Sequence, residues 1–131
     1  MKLLTNELLR RIPPLYSAES EKDPWAVCKF FIPAGSFTWY VIEGSTREKD
    51  GCGFGGNCNH KPLTEYDPDR DDILFYGLVV SGDSEPEFGY FTLSDLEEVR
   101  GAFGLPIERD LYFTKRRVYS LPEADGWYIK R

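Results

Sequence analysis

The sequence predicts an α+β fold, a mainly antiparallel sheet of about four to six strands with two short helices packed on it. Three observations carry this. Runs rich in aromatic and β-branched residues are strand-sized and occur in two pairs. A short turn-forming segment separates the members of each pair, as in antiparallel hairpins. Two short segments carry helix-start signals and are followed by proline or glycine.

The first element is a helix after Thr5, whose hydroxyl can accept from the orphan N–H groups of the first turn. Leu4 and Leu9 stand at the staple positions around that cap, and Leu8, Leu9 and Ile12 form one apolar face. Pro13-Pro14 ends the helix, because proline removes a donor and disfavours the helical conformation before it. Polar residues 17-SAESEKDP-24 read as a loop. The runs 25-WAVCKFFIP-33 and 37-FTWYVIE-43 form the first predicted hairpin. Neither alternates cleanly, so both faces are expected to be at least partly covered. The second hairpin joins 73-ILFYGLVV-80 to 88-FGYFTL-93. In 94-SDLEEVR-100 the pattern reads as a capping box, Ser94 with Glu97, with Gly101 as a left-handed C-terminal cap. Short β-like runs at 110–113 and 127–130 complete the chain.

Composition bounds the possibilities. The 131 residues fit one domain, 1–131, long enough to fold without disulfides or metals. Hydrophobic residues at 41% place the chain far from disorder. The formal charge is −6, distributed as 10 basic and 18 acidic side chains in residues 1–100 against 6 and 4 in residues 101–131. An acidic body repels nucleic acid at long range, although Lys115-Arg116-Arg117 and Lys130-Arg131 make a local basic cluster. The apolar runs are too short to span a membrane and the N-terminal segment carries charge inside its apolar stretch, so the expected location is the cytoplasm with reduced thiols.

Between the two hairpins lies 44-GSTREKDGCGFGGNCNHKPLTEYDPDRDD-72, far longer than the two to five residues typical of a hairpin. Its core, 45–64, reads as a glycine- and cysteine-rich insertion. Gly51, Gly53 and Gly56 match G-x-G-x-x-G, but no strand leads in and no helix follows to meet a phosphate. Cys52, Cys58 and His60 are zinc-type ligands at a spacing that matches no common knuckle; Cys28 or an aspartate of 67–72 would have to complete the four. No cofactor is called for, and zinc is the one metal with suitable ligand types. Counting from Asp67, an EF-hand would need glycine and glutamate where Asp72 and Leu78 stand, so the acidic run reads as turns before a strand. His60 is the chain's single histidine, with no visible group to orient it as a general base. Glu108, Arg109 and Asp110 alternate so that an extended backbone puts the acids on one face and the arginine on the other. Trp39, Tyr40, Tyr76 and Tyr90 are aromatic candidates for a stacking platform, against the plainer role of core residues.

Several of these segments occur together and in order: 1-MKLLTNELLRRIPPLY-16, 29-KFFIPAGSFTWYVIEG-44, 65-EYDP-68, 74-LFYGLVV-80, 87-EFGYFTLSDLEEVRG-101 and 103-FGLPIERDLYF-113. Together they resemble the small bacterial proteins grouped as domain of unknown function 2958. The resemblance implies company with plasmids, integrative elements and phages, sometimes near anti-restriction genes, and it implies no activity. Its motif residues stand here as Lys29, Phe30, Phe31, Trp39, Tyr40, Gly77, Gly89, Tyr90, Phe91, Leu93, Glu108, Arg109 and Asp110. The insertion and a C-terminal extension, 114–131, are departures.

Three functional classes follow. The leading one is a non-catalytic protein-interaction factor of a mobile element, acting on a host or element-encoded protein, with a counter-defence or accessory role. The second is a small enzyme with a pocket formed by Glu108, Arg109 and Asp110 beside Trp39 and Tyr40. The third is a nucleic-acid-binding module using the aromatic sheet, with Tyr90, and the basic end. No membrane partner is expected.

Overall fold

The computed structural model describes residues 3–33, 35–49, 60–81 and 85–121. Cys52, Cys58, the run 127–130 and Lys130-Arg131 lie outside the described residues. The chain forms α1 (Asn6–Arg11), β1 (Trp25–Ala26), β2 (Cys28–Phe31), β3 (Thr38–Glu48), β4 (Asp71–Val80), β5 (Glu87–Thr92), α2 (Leu93–Glu98), β6 (Glu108–Arg109) and β7 (Arg116–Arg117). Five strands make one antiparallel sheet in the order β5-β4-β3-β2-β6, and β1 pairs with β7 in a separate two-stranded ribbon. The predicted α+β class is the observed one.

Both hairpins form. Cys28–Phe31 pairs with Val41–Thr38, and Leu74–Val79 with Thr92–Glu87. The first predicted strand is split: Val27 N–H turns aside to the Val41 carbonyl at 2.8 Å, so Ala26 joins one core and Val27 and Cys28 the other. The sheet is thus buried on two sides. Trp39, Val41, Phe75 and Phe91 pack with Leu96 and the helices on one face; Tyr40, Ile42 and Leu78 pack with Val118 and Leu121 on the other.

Four details differ from the sequence expectation. Residues 45–48, read as the start of the insertion, continue β3, and β4 begins two residues early at Asp71. His60 and Lys61 close the neck of the intervening segment: Thr46 N–H donates to the Lys61 carbonyl at 2.8 Å and Lys61 N–H to Thr46 Oγ1 at 2.9 Å. Thr92, not Ser94, caps α2, accepting from Asp95 N–H at 3.1 Å, while Ser94 Oγ is drawn to Asp72 Oδ2 at 2.6 Å. Ser94 is a helical residue, so the capping box is displaced by a stronger charge-assisted partner. Gly101 is extended rather than left-handed, and Phe103 (φ 62°) and Gly104 (φ 71°) take the left-handed positions. The run 110–113 is a turn; the strand there is Glu108–Arg109. At α1 the reading holds, with Leu8 N–H donating to Thr5 Oγ1 at 3.2 Å.

Candidate functional site

A β-bulge sets a polar arrangement on the sheet face away from the helices. Along β3 and β4 the pairing runs Val41 to Gly77 and then Glu43 to Tyr76, leaving Ile42 as the extra residue. One inserted residue reverses which face the following side chains meet. Without it Glu43 would enter the helix-side core with Trp39 and Val41. With it, Glu43 shares a face with Tyr76, and Tyr76 is paired in turn with Tyr90 on β5. Gly77 stands at the crossover because a β-carbon there would lie 1.8 Å from the Tyr40 carbonyl oxygen. Only glycine lets the two backbones approach so closely.

Glu43 is 4% exposed. Its carboxylate accepts from Tyr16 N–H at 3.1 Å and from Ala18 N–H at 2.6 Å, holding the loop after Pro14 over the sheet. The neighbouring Ser45 Oγ accepts from Leu15 N–H at 3.0 Å and extends the same tether. Tyr16 takes a left-handed backbone (φ 69°), a strained choice for an aromatic residue, and this brings its phenol to Tyr90. A cavity of about 220 Å³ lies between loop and sheet, lined by Tyr16, Glu19, Glu43, Tyr76, Phe88 and Tyr90. Tyr76 and Tyr90 meet at 5.1 Å and 55°, while Tyr76 and Phe88 stack at 6.1 Å and 11°. Desolvation raises the Tyr90 pKa above the ordinary tyrosine value, helped by Tyr16, by their side-chain hydrogen bond, by Tyr76 and by Glu43. Sequence reasoning found Tyr76 and Tyr90 as aromatics but missed Glu43. The signal was available as a single carboxylate in the apolar run WYVIE.

The other sequence candidates are dispersed. Trp39 is buried toward the helices, stacked on Phe37 at 5.5 Å, and Tyr40 is buried on the opposite face. Glu108, Arg109 and Asp110 line an open depression of about 340 Å³ with Lys29, Phe31 and Tyr112. Trp39 does not line it. Lys29 Nζ pairs with Asp110 Oδ2 at 3.8 Å and lies 5.6 Å from the centre of the Tyr40 ring. Arg109 Nη1 donates to the Leu3 carbonyl at 3.3 Å, on the side of the first helix. Arg109 and Asp110 are therefore engaged locally, and β6 is the outermost strand at its edge of the sheet.

His60 has the orienting partner that the sequence did not reveal. Its Nδ1 lies 2.9 Å from the Thr46 carbonyl oxygen, which can only accept, so Nδ1 carries the proton and Nε2 is left as the acceptor or ligand atom. Among the described residues no three His, Cys, Asp or Glu side chains form a metal-binding group. Cys28 is buried in the helix-side core, and desolvation pushes its pKa up to about 12 despite Arg109. Asp67, Asp69 and Asp71 are tied into a turn, Asp67 N–H to Asp71 Oδ2 and Asp69 N–H to Asp67 Oδ1. In the basic cluster, Lys115 and Arg117 sit over the Trp25 ring at 4.7 and 4.0 Å, Arg117 pairs with Glu21 at 3.4 Å, and Arg116 bonds to Ser120. Among the described residues no helix is long and apolar enough to cross a membrane.

Exposed apolar side chains precede and follow β6 in sequence. Phe103 is 95% and Tyr112 93% exposed, with Leu105 and Leu111 beside them in sequence. Both lie on hydrogen-bonded turns. Gly101 N–H reaches the Leu105 carbonyl at 2.8 Å, and Tyr112 N–H reaches Asp110 Oδ1 at 2.9 Å.

Fold and surface together define a small antiparallel α+β protein with a two-sided core and an apolar edge. Residues 62–122 match the family described as Protein of unknown function (DUF2958). No curated protein matches the chain, and no solved structure does.

Proposed function

We propose that the protein is a non-catalytic interaction factor whose contact face is the β6 edge with its flanking turns. The observation that carries this is Phe103. Its ring is 95% exposed and therefore adds almost nothing to the core, while its backbone sits at φ 62°, ψ 19°. A left-handed aromatic residue costs about 1–2 kcal/mol. Folding stability thus gains nothing from phenylalanine at this position, and contact with a second molecule does. An aromatic anchor held on an ordered turn is the usual centre of a protein interface. Tyr112 provides a second anchor, at the wall of the depression that Phe31 and Glu108 also line.

The partner on this reading is a host or element-encoded protein, and the protein serves a mobile element as a counter-defence or accessory factor. A net charge of −6 favours a partner with a basic surface. The test is co-purification from source-cell lysate with the intact chain and with a Phe103→Ser/Tyr112→Ser variant. A near-stoichiometric protein retained by the first and lost by the second supports the reading. Equal retention by both, or no retained protein across salt concentrations, overturns it.

A further inference from the structure

The row Glu43, Tyr76 and Tyr90 spans three adjacent strands on one face, and Tyr16 and Phe88 add aromatic walls from the loop and from β5. Aromatic faces carry negative potential, and rings set at an angle to one another around a space form the arrangement that attracts a cation. Here a carboxylate lies at the base. Each Glu43 oxygen accepts one backbone N–H and keeps a further acceptor site, as ionised carboxylates have about four. The ion pairs among the described residues are Arg11–Glu7, Lys29–Asp110, Arg70–Asp67 and Arg117–Glu21, and none of them reaches Glu43. Among the described residues its carboxylate is met by the backbone N–H groups of Tyr16 and Ala18. A second carboxylate, Glu19, stands at the exposed rim. The volume, about 220 Å³, is below the roughly 300–1,000 Å³ of pockets for drug-sized ligands and suits a single head group.

We infer that this cavity binds an alkylammonium group, as a free organic cation or as a methylated lysine side chain. The cation sits against the Tyr76, Tyr90 and Tyr16 rings with its charge toward Glu43, and its methyl groups replace water on the aromatic faces. The site is separate in sequence and surface from the β6 edge, so either proposal can fail alone.

The experiment titrates the full chain by calorimetry with tetramethylammonium chloride, with trimethyllysine amide and with the neutral isostere 3,3-dimethylbutanol. Saturable binding of the cations, at least about tenfold tighter than the isostere, is expected. Tyr90→Leu, at a half-exposed ring, should weaken binding about five- to tenfold without unfolding. Glu43→Gln, checked for native circular dichroism, should weaken it at least tenfold, and Tyr112→Ser should leave it unchanged. Tighter binding of trimethyllysine amide than of tetramethylammonium assigns the source as a side chain; equal binding assigns a free cation. Isostere binding equal to the cations, or cation binding unaltered in Tyr90→Leu, overturns the inference.

Discussion

Replacing Glu43 by alanine should be among the most damaging single changes on the non-helical face of the sheet. The carboxylate accepts two backbone N–H groups, from Tyr16 at 3.1 Å and Ala18 at 2.6 Å, and both donors belong to a loop with no regular structure of its own. A hydrogen bond to a charged acceptor contributes about 1.5–3 kcal/mol net. The two donors are part-buried, so water recovers some of the loss, and the lower end applies to each. The expected cost of Glu43→Ala is about 3 kcal/mol. Glu43→Gln keeps one acceptor oxygen and should cost about half as much. With urea slopes of about 1–3 kcal/mol per molar for small proteins, the alanine midpoint should fall by about 1–3 M at unchanged slope. Urea unfolding followed by far-UV circular dichroism and by tryptophan fluorescence measures this. An alanine variant within 0.5 kcal/mol of the wild type would refute the claim that Glu43 tethers the loop.

Gly77→Ala should destabilise by about 3 kcal/mol or more, because the new β-carbon meets the Tyr40 backbone oxygen and not a movable side chain; thermal melting reads it directly. Thr92→Ala should cost about 1 kcal/mol through loss of the α2 cap, measurable as a shift in urea midpoint, whereas the sequence pattern alone would have placed that loss at Ser94. For Cys28, burial raises the folded pKa to about 12 from a usual 9.0, so the neutral thiol is favoured by folding. That contribution is complete below pH 9.0 and is lost as pH rises from 9.0 through about 12. Site-resolved mass spectrometry after iodoacetamide treatment at pH 8 should show Cys28 protected in the native protein and modified in urea. Ready native modification would contradict its burial. Phe103→Gly should leave stability unchanged or raise it by up to about 1 kcal/mol, since the ring is exposed and glycine accepts a positive φ without strain; a clear loss in melting temperature would show that the ring packs on something.

The strands were legible because long aromatic and β-branched runs have few alternatives, and the hairpin pairing followed from the turn residues between them. Thr5 was legible as a cap for a similar local reason. What was missed depends on contacts distant in sequence. Ser94 is pulled from the capping role by Asp72, 22 residues away, which a local pattern cannot register. Glu43 was counted simply as the end of a strand, and its face depends on a bulge that becomes visible only when β3 is paired with β4. His60 looked unsupported because its partner, the Thr46 carbonyl, lies across the neck of the insertion. Phe103 follows Leu96 and Val99 at helical spacing, yet α2 ends at Glu98 and the residue is exposed. The residues proposed for function were therefore present in the motif segments, but their exposure and facing are tertiary properties.

The interaction face is tested most directly by hydrogen–deuterium exchange on the complex with whatever protein co-purifies. The account predicts slowed exchange concentrated in residues 101–113 on binding, with the amides of β3 and β4 unaltered because they are already protected in the sheet. Protection confined to another surface, with residues 101–113 exchanging as in the free protein, would contradict it.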